Sequence, residues 1–131
     1  MKKLILLIIS ICVLGVLGYL YINQDHRNIS EEKPSLSIEA EKLIKEFQNN
    51  SKENELKYLN NTIQIQGELT GIQEKSLVIE NNIYCEFDQT PSISKTTKGT
   101  SITIKGRLIG FDDLLGELKL DQCTVITNKD L

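Results

Sequence analysis

Residues 62–72 read Thr-Ile-Gln-Ile-Gln-Gly-Glu-Leu-Thr-Gly-Ile, and residues 101–111 read Ser-Ile-Thr-Ile-Lys-Gly-Arg-Leu-Ile-Gly-Phe. In the first stretch Ile63, Ile65 and Leu69 alternate with Gln64, Gln66 and Glu68. In the second, Ile102, Ile104 and Leu108 alternate with Thr103, Lys105 and Arg107. A period of two is the mark of a strand with one face in a core and one in water. Five of the eleven positions agree, which two amphipathic strands reach through shared geometry without duplication. Each has a glycine in mid-strand, Gly67 or Gly106, where a long strand bends sharply enough to serve both sides of a small barrel.

Working outward, residues 76–80 and 83–87 make a second and a third strand across an Asn81-Asn82 turn suited to a tight hairpin. The fourth strand is 100–111, and 117–126 make the fifth. Upstream, Ser37 can cap a helix with Glu39 and Glu41 in its first turn and Ala40, Leu43, Ile44 and Phe47 at helical spacing. Ser51 can cap a shorter one over 52–59, with Leu56 and Leu59 on one side before Asn60-Asn61 turns the chain. The expectation is a mainly β domain with N-terminal helices: a five-stranded OB-fold, a partly open Greek-key barrel, led in by one or two short helices.

The N-terminal end is of another kind. Residues 4–22 hold no charge and include thirteen Leu, Ile or Val, and nineteen residues of helix reach about 28 Å against a hydrocarbon thickness of about 30 Å. Lys2 and Lys3 precede the run with no basic cluster after it, so the positive-inside rule puts the N-terminus in the cytoplasm and the rest of the chain outside, in the periplasm. Two rivals stand beside a single-pass signal-anchor: a cleaved signal peptide, which wants a shorter apolar region and small residues before its cleavage site, and a lipoprotein modified at Cys12, where Ile11 is large for the position. Residues 23–36 contain Asp25, His26, Arg27, Glu31, Glu32, Lys33 and Pro34 with few apolar side chains, and read as a linker with nothing to bury. The chain thus divides into an anchor (1–22), a linker (23–36) and a domain (37–131).

Setting Lys2 and Lys3 aside from the 15 Lys and Arg leaves 13 against 18 Asp and Glu, a formal −5 for the segment after residue 22. Nucleic-acid affinity comes largely from neutralising phosphates, so this balance disfavours nucleic acid as a partner. The sole histidine, His26, lies in the linker, where nothing fixes it as a base or ligand. Asp112, Asp113, Glu117 and Asp121 lack the ligand spacing of a calcium loop and read as a solvated acidic hairpin. No catalytic residue, metal site or cofactor is expected. Cys85 and Cys123 read as two buried free thiols, with a disulfide between them as the alternative, since spacing in sequence does not guarantee the Cα separation a bridge needs. OB domains bind on the face of their second and third strands, framed by the loops after the first and fourth. Lys75, Tyr84 and Phe111 are the candidate ligand-binding residues there; Tyr84 and Phe111 either stack on a ligand or merely cover the barrel end.

The segments Lys57-Tyr-Leu-Asn60, Ile63-Gln-Ile-Gln-Gly67, Ile83-Tyr-Cys-Glu-Phe87, Gly99-Thr-Ser-Ile-Thr-Ile-Lys-Gly106 with Gly110, and Leu120-Asp-Gln-Cys123 together resemble the tRNA_anti-like family, bacterial membrane-anchored or lipoprotein OB-fold proteins, from about residue 40 to 126. The resemblance implies a fold and an address at the membrane, and carries over no catalytic residue. Three functions follow as expectations: a non-catalytic binding module for an envelope protein, a glycan or a small ligand; an oligonucleotide-binding module; or an accessory subunit whose span packs in a membrane complex.

Overall fold

The structure, a computed structural model, describes residues 1–22, 28–93 and 96–126, without the side chains of Leu4 and Ile22. The period-two stretches form the two longest strands. In β2 (Thr62–Ile72), Ile63, Ile65 and Leu69 are fully buried; in β5 (Ser101–Asp112), Ile102, Ile104 and Leu108 face the same core. They pair antiparallel, Ile65 opposite Ile104. Between them come β3 (Ser76–Ile79) and β4 (Ile83–Glu86), and after β5 comes β6 (Glu117–Ile126). The ring runs β2-β3-β4-β6-β5 and closes on β2; β4 and β6 are parallel and its other pairings antiparallel. Closure leaves no open edge within the ring. The result is a five-stranded barrel, consistent with the OB-fold expected.

The hairpin between β3 and β4 is displaced by one residue from its expected place. Glu80 and Asn81, not Asn81 and Asn82, take the left-handed conformation (φ 50° and 60°) that a tight hairpin with right-handed strand twist requires. Elsewhere the ring bends at irregularities in register: between Leu69 and Gly71 in β2, and between Lys105 and Arg107 and between Leu108 and Gly110 in β5. Gln122 in β6 has φ 47°, at the break in alternation visible in the sequence around Asp121-Gln122.

Helix α2 (Ala40–Asn49) buries the stripe Ala40, Leu43, Ile44 and Phe47 against the core. Its start departs from the expected capping. Ser37 lies in a strand, β1 (Leu36–Glu39), which pairs parallel with β2 from Leu36 opposite Ile63 to Glu39 opposite Gln66. Glu39 precedes the helix without a side-chain cap bond. Helix α3 (Ser51–Tyr58) buries Tyr58, whose hydroxyl donates to Glu46 (2.9 Å), while Leu56 is 91% exposed and Leu59 partly so. The apolar side assigned to Leu56 and Leu59 is therefore the outside.

Residues 23–27, with His26, lie outside the described residues, but the rest of the expected linker is docked on the barrel. Ile29 is fully buried. Ser35 donates to the Thr62 carbonyl through its backbone N–H (2.8 Å) and its hydroxyl (2.9 Å), and the Thr62 hydroxyl donates to the Glu32 carboxylate. The Lys105 ammonium, nearly enclosed, donates to the carbonyls of Ser30 (2.7 Å) and Glu32 (2.9 Å). One isoleucine and a set of polar bonds hold this strap, a signal that counting apolar residues misses.

Helix α1 (Lys2–Ile22) carries the charge-free run, with its described apolar side chains exposed. Among the described residues no helix is long and apolar enough to cross a membrane; Leu4 and Ile22, the two ends of that run, have their side chains outside the description.

Candidate functional surface

The register of β3, β4 and β6 sets Val78, Tyr84 and Lys119 side by side on the outside of the barrel, because Tyr84 pairs with Val78 on one edge and Lys119 on the other. The neighbouring residues Ile83 and Cys85 are fully buried, so alternation turns Tyr84 outward. Around it lies a shallow depression of about 280 Å³ lined by Tyr84, Glu86, Ile109, Glu117, Lys119 and Leu120. Lys75 stands beyond one end of β4, its carbonyl accepting from Phe87 N–H (2.8 Å). The β5–β6 hairpin stands at the other end, tied by Asn82, whose side-chain amide donates to the Gly116 carbonyl (3.0 Å). Tyr84 thus faces outward, and Lys75 lies exposed in the turn that leads into β3.

Phe111 does not join them. It pairs directly with the buried Leu118 and so shares its inward face; its ring centroid lies 5.3 Å from that of Phe47 in α2, and Phe47 in turn lies 6.1 Å from Tyr58. The ring covers the barrel end under the helices, which removes Phe111 from the candidate surface.

The acidic hairpin is built for its turn. The Asp112 carboxylate accepts from the backbone N–H groups of Leu114 (3.0 Å) and Leu115 (3.1 Å), and Gly116, at φ 66°, donates back to the Asp112 carbonyl (2.7 Å). These bonds hold Leu114 and Leu115 out in solvent. Asp121 instead receives Arg107 through Nε (2.9 Å) and Nη2; the carboxylate raises the guanidinium pKa above its ordinary value. Lys119 lies 4.0 Å from Asp112. Among the described residues no group of three or more His, Cys, Asp or Glu side chains is placed to hold a metal ion.

A second and larger concavity, about 640 Å³, is lined by Ser30, Phe87, Asp88, Gln89, Gln122 and Cys123 among others. It was not legible in the sequence, because one wall is the strap that reads as a free linker. Its lining mixes Phe87, Pro91, Cys123 and Val125 with hydroxyl and amide groups and a single carboxylate, and it lacks an outward aromatic ring like Tyr84, so size alone does not make it the better candidate.

Cys85 and Cys123 are brought together as free, buried thiols. Burial, and next the neighbouring Cys85 thiol, push the Cys123 thiol well above its ordinary value, so the Cys123 sulfur is not poised as a nucleophile at neutral pH in the folded protein.

A search of curated proteins finds no match. Among solved structures, the chain is similar to one described as a "putative nucleic acid-binding lipoprotein" from Klebsiella pneumoniae, with 16% sequence identity and a TM-score of 0.53 over 70% of this chain and 91% of that one. At that identity the likeness carries the fold alone. The profile of the tRNA_anti-like family matches residues 1–119, taking in α1, the strap and the barrel as far as the start of β6. This chain belongs to the tRNA_anti-like family.

Proposed function

We propose that this protein is a non-catalytic binding module, tethered to the membrane by α1, whose outer barrel face around Tyr84 takes a polar ligand of neutral or positive charge: a protein, a glycan or a small molecule outside the cytoplasm. The observation that carries it is the surround of Tyr84. An aromatic ring faces out beside Glu86 and Glu117, and the nearest cation, Lys119, already faces Asp112. An anionic polymer would meet carboxylates there, whereas a sugar ring or an uncharged or basic peptide would find a stacking platform and acceptors.

Oligonucleotide binding is the second reading, favoured by the description of the Klebsiella protein and opposed by the formal −5 after residue 22. Titrating the full-length protein in detergent with fluorescent single strands at two salt concentrations separates the two. The expected result is no binding even at low salt. Binding that weakens with salt and disappears in Tyr84→Ala would replace the first reading with the second.

For the tether, the support lies in the sequence: residues 4–22 are nineteen uncharged positions, close to the roughly 20 apolar residues that a bilayer span takes. Lys2 and Lys3 orient it with the barrel outside; a lipid on Cys12 is the minor alternative. Alkaline extraction of membranes should leave the protein in the pellet, and Cys12→Ala should not release it. Release of the native protein would count against the span, and release of Cys12→Ala alone would count for the lipid.

A further inference from the structure

The two buried thiols sit where a pairing in the ring runs out. β4 and β6 are held in register at three positions, ending with Cys85 opposite Leu120. Two residues on, Gln122 takes its left-handed conformation (φ 47°), and this extra residue turns Cys123 inward where strict alternation would have put Gln122. Ile83, Cys85 and Phe87 therefore share the core with Leu118, Leu120 and Cys123. The position opposite is a glycine: a Cβ on Gly106 would stand 2.6 Å from the Cys123 sulfur, so the absence of a side chain there makes room for it. Cys123 Sγ also donates to the Asp121 carbonyl at 3.7 Å, and its immediate neighbours include the Cys85 thiol and the Glu86 backbone N–H. Cys123 lines the larger concavity and retains 7% exposure, whereas Cys85 is fully enclosed.

We infer that Cys85 and Cys123 are a cross-linking pair, joined by one disulfide that staples β4 to β6 at the point where their hydrogen-bonded ladder ends. A disulfide oxidant, a small molecule such as oxidised glutathione or the active-site disulfide of an oxidoreductase, supplies the chemistry. Cys123 loses its proton and attacks one sulfur of the oxidant, forming a mixed disulfide and releasing the other sulfur as a thiol. Cys85 then loses its proton and attacks the Cys123 sulfur, releasing the second thiol. Two thiols are oxidised to one disulfide, and the oxidant takes up the two electrons and two protons. The accessible sulfur is the one that must react first. Because burial suppresses its thiolate, the exchange is fast in the unfolded chain and slow in the folded one. The inference rests on the barrel geometry and not on the proposed ligand or location.

The test uses the full-length protein in detergent, reduced in urea and diluted into a glutathione redox buffer or, in parallel, into excess reductant. Free thiols are then blocked with a maleimide before digestion. In the redox buffer the expected outcome is a linked pair of peptides carrying Cys85 and Cys123, with label only at Cys12 and an intact mass lower by two hydrogens. The closed loop spans residues 85–123, so the melting temperature should exceed that of the reduced protein by at least about 10 °C. Label on both sulfurs after refolding in the redox buffer, or recovery of each as a separate glutathione adduct, would overturn the pair. Comparing the native protein with and without reductant needs no core substitution. Cys12→Ala, which keeps the pair, excludes a bridge to the anchor.

Discussion

β2 and β5 repeat Ile-x-Ile-x-Gly-x-Leu-x-Gly and lie against one another almost as mirror partners. Gly67 pairs with Ile102, Ile65 with Ile104 and Ile63 with Gly106, so each mid-strand glycine sits opposite the first isoleucine of the other strand. Leu69 and Leu108 are both fully buried. The local pattern is the same, yet the glycines meet different surroundings. A Cβ on Gly67 would come within 2.7 Å of both the Ala40 Cβ in α2 and the Ile79 Cγ2 in β3, whereas one on Gly106 would meet the Cys123 sulfur and, at 3.2 Å, the Asp121 carbonyl. Pairing follows from the strands themselves; tolerance to change is set by what the rest of the chain lays over them.

The largest break in this likeness should come at Gly67→Ala. Two carbon atoms on two different elements block the new methyl, so α2 must move off the barrel, at a cost of about 2–3 kcal/mol. Removing the obstructing methyl with Ala40→Gly should recover part of that loss in a double-mutant cycle, less the helix penalty of a new glycine. Gly106→Ala should cost less, about 1–2 kcal/mol, because the nearest atom is the end of one short side chain that can rotate away. Chemical denaturation under reducing conditions measures both; equal losses, or a larger loss at Gly106, would show that α2 yields more easily than the strand bulge.

The same contrast explains what the sequence revealed. The five barrel strands were legible because each has turn residues nearby and at least one pair of apolar residues two apart that is buried: Ile63 and Ile65, Leu77 and Ile79, Ile83 and Cys85, Ile102 and Ile104, Leu118 and Leu120. β1 was not, since four residues with Leu36 and Ile38 as their only apolar members pair parallel to a strand more than twenty positions away. The strap was missed for a related reason: its attachment depends on Ile29 and on carbonyls that any sequence possesses, caught by Lys105. Phe111 shows how a correct strand can still mislead. Strict alternation from the inward Leu108 would send Phe111 outward beside Tyr84, but the register shift between Leu108 and Gly110 reverses the faces beyond it. The break at Gln122 was visible because Leu118 and Leu120 are followed in phase by a glutamine and then a cysteine.

The second glycines of the repeat give the finest comparison. A Cβ on Gly71 would stand 2.9 Å from the Val78 Cβ and Cγ2, while one on Gly110 would meet nothing within 4 Å. Gly110 also has no left-handed backbone to preserve; among the described glycines only Gly99 and Gly116 have positive φ. What remains at Gly110 is the entropic cost of holding a glycine in an extended conformation. Gly110→Ala should therefore stabilise the domain by about 0.5 kcal/mol, seen as a small rise in the denaturation midpoint with an unchanged slope. A loss of stability there would mean that the bulge itself needs glycine, and that the repeated motif is preserved in β5 for its bend instead of its packing.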